Sequence, residues 1–441
     1  MGLRIRPRLL ARPGSPARRG KARQPPSPAV LIASLPQKDA HALSMKTTRD
    51  TSRLKEKTMH RSFAHVPRIS VVLICAAAAA AVASPAGVIA KGPYLQNVKM
   101  DEITVCVETD ATTACRVQYG EGAELNMTAE SASQATRHEI VLKGLKPATT
   151  YTYQVACGDA QSEKSRFRTA VPPDRPFKFV VVGDTRSGHE IHRKICEQIA
   201  KWDPAFVVNT GDLVADGQDP ALWDTFFEVA GPLLRQAPYY PCLGNHEHNA
   251  NLYFGYFVLP EKERWYSFDY GNSHFIVLDS NEPFLSSQAQ RQWLLDDLAK
   301  AGKSLFTFVI FHHPMFSGTA GLGRRLAARE VRQKLADIVE EYGVDVVFVG
   351  HDHNYQRTFV NGVYQVITGG GGASLYEVRP KWGFAVQEAT HHWVQIEVNG
   401  PTAKIRAVRA DGTQLDSFEI KSLRAQPPEA RKQPAGPATR R

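Results

Sequence analysis

Val346-Val-Phe-Val-Gly350-His351-Asp352-His353-Asn-Tyr-Gln-Arg357 is an apolar run that stops at a glycine and continues at once into two histidines flanking an aspartate. A short β-branched and aromatic run bounded by glycine reads as a buried strand. The same grammar occurs four more times upstream. Phe177–Val182 ends in Gly183-Asp184, Phe206–Thr210 in Gly211-Asp212, Tyr239–Leu243 in Gly244-Asn245-His246, and Leu305–Phe311 in His312-His313. A further apolar run covers Phe275–Leu278, and helical patterns cover 190–202, 288–301 and 324–342. Buried strands alternating with helices define an α/β layered domain. Sites in such sheets form at the carboxyl ends of strands, so five endings of this kind are expected to converge.

The residue types at those endings define the chemistry. Carboxylate, imidazole and amide oxygen suit hard and borderline metal ions. A carboxylate can bridge two ions about 3.5–4 Å apart, the spacing used for in-line attack on phosphorus. No thiolate stands at a strand end, which disfavours a structural zinc site. The six cysteines, at 75, 106, 115, 157, 196 and 242, contain no CxxC pair. Cys106, Cys115 and Cys157 lie close in sequence, and two readings stand: a disulfide among them in an exported protein, or three free thiols.

Outward from this core, residues 92–170 alternate apolar and polar at period two. Ile103-Val105-Val107, Val117-Tyr119, Ile140-Leu142 and Tyr151-Tyr153-Val155 each present one face, the pattern of a small all-β sandwich. Leu142 through Tyr153 resembles the corner of a fibronectin type III domain, where a tyrosine caps the turn into the penultimate strand. The sandwich is assigned to 91–171, Val171–Pro176 to a linker, and the α/β domain to 176–421. Asn399-Gly400 and Asp411-Gly412 mark two hairpins near its end. Residues 422–441 read as a polar tail. Residues 1–58 read as a disordered basic leader. Residues 59–90 have the layout of a signal peptide: Arg61 and Arg68, an apolar run Ile69–Ala83, and Ala81-Val82-Ala83 as cleavage site. Translation is expected to start at Met59 or Met45, and the product to be exported, periplasmic or secreted. The apolar run is short for a membrane span.

The 441 residues are 43% hydrophobic and 22% charged, ordinary for a globular protein. Their net charge of +10 comprises +13 over residues 1–68, +5 over 421–441, and −8 for everything between. The folded part is therefore acidic, which excludes a general electrostatic surface for nucleic acid.

The order GD, GD, GNH, H, GHDH is similar to that of the calcineurin-like metallophosphoesterases. Gly350 to Arg357, with the sandwich domain in front, resembles the purple acid phosphatase branch. The resemblance spans about residues 92–420. It implies a metallophosphoesterase β-sandwich flanked by helices and a small phosphorylated substrate. It also implies two divalent or trivalent metal ions of the Fe, Zn or Mn kind, with a hydroxide bridging them as nucleophile. Asp212 would bridge, Asp184 and His353 would bind the first metal, and Asn245, His312 and His351 the second. His246 would face the phosphate as hydrogen-bond donor or general acid. The family pattern His-x-Pro assigns His312 rather than His313, which is the alternative. Purple acid phosphatases carry a tyrosine three positions after the bridging aspartate; here Ala215 stands there. Other members carry a histidine where this chain has Arg186. The missing ligand is expected from His189 or His192. Arg186 would bind substrate phosphate or pair with a nearby carboxylate. Phosphomonoesters are the first expected substrate and phosphodiesters the second, with a weakly catalytic binding protein as the reading from another class. His248 reads as a surface histidine, Gly369–Gly372 as a tight loop at the site mouth, and Trp265, Tyr266 and Trp382 as core or rim. The loops 213–238, 247–264, 314–326 and 373–392 carry no readable code.

Overall fold

Period-two burial builds the first domain. A computed structural model describes residues 88–261, 263–380 and 383–425; the leader, the signal-peptide assignment up to residue 87, Trp382 and the tail from 426 lie outside them, while Ile89 and Ala90 at the end of that assignment open the first strand. Eight strands make two facing sheets: β1 (Ile89–Gln96), β2 (Glu102–Thr113), β3 (Cys115–Glu121), β4 (Met127–Glu130), β5 (Ala135–Lys143), β6 (Thr150–Cys157), β7 (Ala160–Gln161) and β8 (Ser165–Arg168). β1, β2 and β5 pair in one sheet. β4, β3, β6 and β7 form the other, with β8 also on β6. All ten alternating apolar residues named above are buried. The Tyr151 hydroxyl accepts from the Lys146 N–H at 2.9 Å, the expected tyrosine corner. Cys115 and Cys157, opposite each other on β3 and β6, form a disulfide, and Cys106 is a free, buried thiol.

The second domain interleaves β9 (Phe177–Val182), α1 (His189–Trp202), β10 (Val207–Asn209), α2 (Pro220–Leu234), β11 (Tyr239–Pro241), α3 (Asn251–Tyr256), β12 (Tyr266–Tyr270), β13 (Ser273–Val277), α4 (Gln288–Lys300), β14 (Phe306–Ile310), α5 (Leu322–Glu341), β15 (Val346–Val349) and β16 (Tyr355–Val360). It closes with β17 (Val363–Thr368), β18 (Phe384–Glu388), β19 (His392–Asn399), β20 (Thr402–Arg409) and β21 (Gln414–Lys421). One sheet has the order β11-β10-β9-β19-β20-β21 and the other β12-β13-β14-β15-β17-β16-β18. β9, β10 and β11 are parallel, as are β13, β14, β15 and β17. Phe179 of β9 packs on Phe275 and Phe308 of the other sheet at 5.1 and 5.3 Å, so aromatic rings fill the space between the layers. This is the expected α/β layered sandwich.

Two helices depart from the sequence reading, which left 213–238 and 247–264 as loops. α2 starts where Asp219 accepts from the Ala221 N–H and Pro220 fixes the first turn. Trp223, Phe226, Phe227, Ala230 and Leu233 line its buried face, and Tyr94 of β1 meets Phe227 at 4.9 Å. The domain junction is polar as well as apolar. Tyr94 donates to the Tyr256 carbonyl at 2.7 Å, Gln96 to that of Tyr239 at 3.1 Å, and Tyr153 to that of Arg235 at 2.8 Å.

His274 on β13 bridges Asp269 of β12 at 2.7 Å and Asp297 of α4 at 2.8 Å. Burial lowers its affinity for a proton, but the two carboxylates outweigh burial and raise the pKa from 6.5 to about 9. A raised folded-state value stabilises the fold fully below about pH 6.5, and the stabilisation is lost as pH rises through 9. The shift corresponds to at most about 3 kcal/mol, and to roughly 2 after allowing for the solvent exposure of Asp269. His274→Gln is expected to lower the melting temperature most near pH 6 and much less at pH 9.5. A thermal unfolding series across that range checks it, and a pH-independent difference would contradict it.

Candidate metal centre

Parallel strands carry the five endings to one edge of the two sheets. β9, β10 and β11 deliver Asp184, Asp212 and Asn245-His246; β14 and β15 deliver His312 and His351 with His353. Asp184, Asp212 and His351 have φ of 56°, 56° and 66°, left-handed values that cost a non-glycine residue on the order of 1 kcal/mol or more. The turn that follows each strand is thereby forced tight. A Cβ at Gly350 would lie 2.5 Å from Asp184 Oδ2, so only glycine admits the carboxylate there.

The donor atoms are spaced like the edges of a coordination polyhedron. Asp184 Oδ1 is 3.2 Å from His353 Nε2, and Asp212 Oδ1 is 3.3 Å from His312 Nε2. Asn245 Oδ1 lies 3.2 Å from His312 Nε2 and 3.0 Å from His351 Nδ1. Metal bonds of about 2.1 Å place neighbouring ligand atoms about 3.0–3.4 Å apart. The ring orientations agree. His312 Nδ1–H donates to the Thr210 carbonyl at 2.8 Å and His353 Nδ1–H to that of Ser374 at 2.7 Å, which leaves each Nε2 lone pair facing inward. The residues present therefore fit two ions that share Asp212.

Electrostatics point the same way. Asp184 and Asp212 are almost wholly buried. Burial works to raise the Asp212 pKa, and His312 with the His246 N–H outweighs it and holds the carboxyl well below the usual range. Burial likewise opposes protonation of His312, and Asp212 and Asp184 overcome it, raising its pKa to about 10. The pocket draws positive charge to these carboxylates.

His313 joins His312 and His351 in a second grouping, with Nδ1 held by Ser280 Oγ at 2.9 Å. It is thus at the site rather than merely packed behind it. Neither His189 nor His192 falls in the donor groupings found among the described residues, Asp184–Asp212–His312 and His312–His313–His351. His192 is buried on α1 with its ring against Phe226 at 6.0 Å, and burial pushes its pKa down to about 3. The apolar face of α1 claims it. Arg186 does reach the centre: its Nε is 3.6 Å from Asp212 Oδ2 and has no hydrogen-bond partner among the described residues. His246 places Nε2 3.9 Å from the same oxygen, its Nδ1–H donating to the Ala215 carbonyl at 2.7 Å. The position without tyrosine therefore still contributes its backbone. His248 is exposed, as expected. The glycine run lies against the first turn, with Gly371 N–H on the Gly183 carbonyl and Ala373 N–H on that of Asp184, both at 2.9 Å.

Sequence reasoning passed over three supporting residues. Glu247 is buried, and its carboxylate accepts from the N–H groups of Asp212, Leu213 and Gly244 at 2.9, 2.8 and 2.6 Å. It clamps the turns of β10 and β11 together. Burial and the Asp212 charge push its carboxyl up to about 7 against those donors. Tyr376 stacks on His353 at 4.0 Å and carries Arg324 on its ring at 3.8 Å. Arg324 also donates to Asp352 Oδ1 at 2.9 Å. The glutamate stands directly after Asn245-His246, but its backbone partners leave no mark in the sequence, and the tyrosine and arginine had no motif.

Residues 177–355 match the calcineurin-like phosphoesterase family and residues 93–169 the purple acid phosphatase N-terminal domain. The chain thus carries a calcineurin-like metallophosphoesterase domain behind a purple acid phosphatase N-terminal domain. Among similar proteins, probable purple acid phosphatase 20 of Arabidopsis thaliana is 30% identical over 238 residues, 50% of this chain and 55% of that protein. Purple acid phosphatase 21 of the same plant is 31% identical over 288 residues, 58% and 64% of the two chains. This chain spans less than two thirds of either relative. The purple acid phosphatase PPD1 from yellow lupin seeds shares the fold with a TM-score of 0.66 at 22% identity, over 75% of this chain and 74% of that one.

Glu247→Gln keeps the shape and removes one acceptor from the clamp. It is expected to weaken metal binding about 10–100-fold, measured by titration in chelator-buffered metal. Unchanged affinity in folded protein would contradict the clamp.

Proposed function

We propose that this protein is a dinuclear-metal phosphoesterase that hydrolyses small phosphate esters, monoesters first, outside the cytoplasm. The observation that carries the reading is the convergence of Asp184, Asp212, Asn245, His312, His351 and His353 at polyhedral spacing. Metal ions of the Fe, Zn or Mn kind would supply Lewis acidity and activate water at neutral pH. Asp184 and His353 would hold one ion, Asn245, His312 and His351 the other, and Asp212 both. His192 is left out of this set.

Arg186 is positioned to take a phosphate oxygen. Its Nε lacks a hydrogen-bond partner among the described residues, and its charge faces the side of Asp212 turned from His312. His246, oriented by the Ala215 carbonyl, would in its protonated form donate from Nε2 to the leaving oxygen as the P–O bond breaks. The donor set has two carboxylates and no phenolate, so a pair of divalent ions leaves less uncompensated positive charge than a pair containing a trivalent one. The Cys115–Cys157 disulfide supports an oxidising compartment. No helix among the described residues is long and apolar enough to cross a membrane.

Hydrolysis of p-nitrophenyl phosphate, with Mn, Zn, Fe and Ca supplied in turn, is expected with at least one metal; no turnover in folded protein would overturn the reading. The active protein is expected to lack the visible charge-transfer band of an iron–phenolate centre. His246→Ala is expected to cost kcat about 10²–10⁴-fold on alkyl phosphates and markedly less on p-nitrophenyl phosphate, whose leaving group needs little protonation. Equal losses on both would remove the general-acid role.

A further inference from the structure

We propose that the substrate's leaving group is a small, neutral polyol held in a cavity that opens from Asn245; the inference rests on the phosphoesterase reading above. The cavity has a volume of about 240 Å³ and is lined by Asn245, His248, Arg264, Asn281, Glu282 and Phe284, among others. It adjoins the donor set directly, because Asn245 belongs to both. Its volume falls below the ~300 Å³ at which pockets for drug-sized ligands begin, so it has room for a short chain or a single ring.

Its wall is built and fixed. The Arg264 guanidinium lies over Phe284 at 3.9 Å and Phe254 at 4.9 Å. It also pairs with the buried Asp279 at 2.9 Å and donates to Asn249. Asn281 Nδ2 bonds Asp279 Oδ1 at 2.8 Å and the Gly244 carbonyl at 3.2 Å, which ties this wall to the turn that presents Asn245. His248 and Asn249 hold left-handed backbone, φ 49° and 56°, at the lip of the cavity.

Charge then selects the occupant. Asp279 cancels Arg264, and Glu282 remains exposed, bonded to Ser286 alone among the described residues. The lining therefore carries one uncompensated negative charge. A leaving group with its own carboxylate or second phosphate would meet that charge, whereas hydroxyls can donate to Glu282 and exchange hydrogen bonds with Asn281 and His248. The half-buried Phe284, whose ring carries Arg264, adds apolar surface to the lining.

Glycerol phosphate and 3-phosphoglycerate differ chiefly in one carboxylate and test this at matched size. With p-nitrophenyl phosphate as reference, kcat/KM for glycerol phosphate is expected to exceed that for phosphoglycerate about tenfold, the effect of one like charge near a protein surface. Glu282→Lys is expected to bring the ratio to one or below. A ratio near one in the wild type, or a ratio unmoved by Glu282→Lys, would overturn the inference while hydrolysis of p-nitrophenyl phosphate upheld the phosphoesterase reading. Absence of that hydrolysis removes both.

Discussion

Two carboxylates buried at one edge of a double-layered sheet set the terms for the rest of this structure. Asp184 and Asp212 are almost fully removed from water, and a buried charge is tolerated only when it is paired or bound to metal. Among the described residues, Arg186 brings a permanent cation to 3.6 Å from Asp212. The other neighbours are imidazoles and an amide, groups that offer lone pairs. A site that buries negative charge among imidazole and amide groups draws added positive charge.

The fold meets the cost of this arrangement through its backbone. Parallel strands bring the turns together, and left-handed residues aim the side chains back across the sheet edge. The strain is held by hydrogen bonds that each join two elements. Glu247 clamps the turns after β10 and β11, the glycine run braces the turn after β9, and the stack of Arg324, Tyr376 and His353 supports the turn after β15. The N-terminal sandwich packs on α2 through Tyr94 and Phe227 and is bonded to β11 through Gln96 and the Tyr239 carbonyl.

Much of this was legible in the sequence for a physical reason. A strand that ends in glycine and then a donor must turn sharply, and five such endings need a common edge; all five were found there. The tyrosine corner was visible because its turn residues have local consequences. What stayed hidden depends on partners far along the chain. Glu247 serves backbone N–H groups, which leave no letter in the sequence, and Tyr376 acts through a stack. α2 did carry signals, Asp219-Pro220 and apolar residues at helical spacing, but its place between two site turns suggested a loop. His192 does lie near Arg186 and Leu213, but its buried ring packs on Phe226, a partner that its place in the sequence does not reveal.

With Asp212 shared between two donor groups, the centre would hold two ions. Metal analysis of the purified protein tests that most directly. Two equivalents per chain are expected, falling to one when Asn245 and His351 are both replaced by alanine, since Asp184, Asp212 and His353 remain. A wild-type chain that binds a single ion, or a double variant that still binds two, would contradict it.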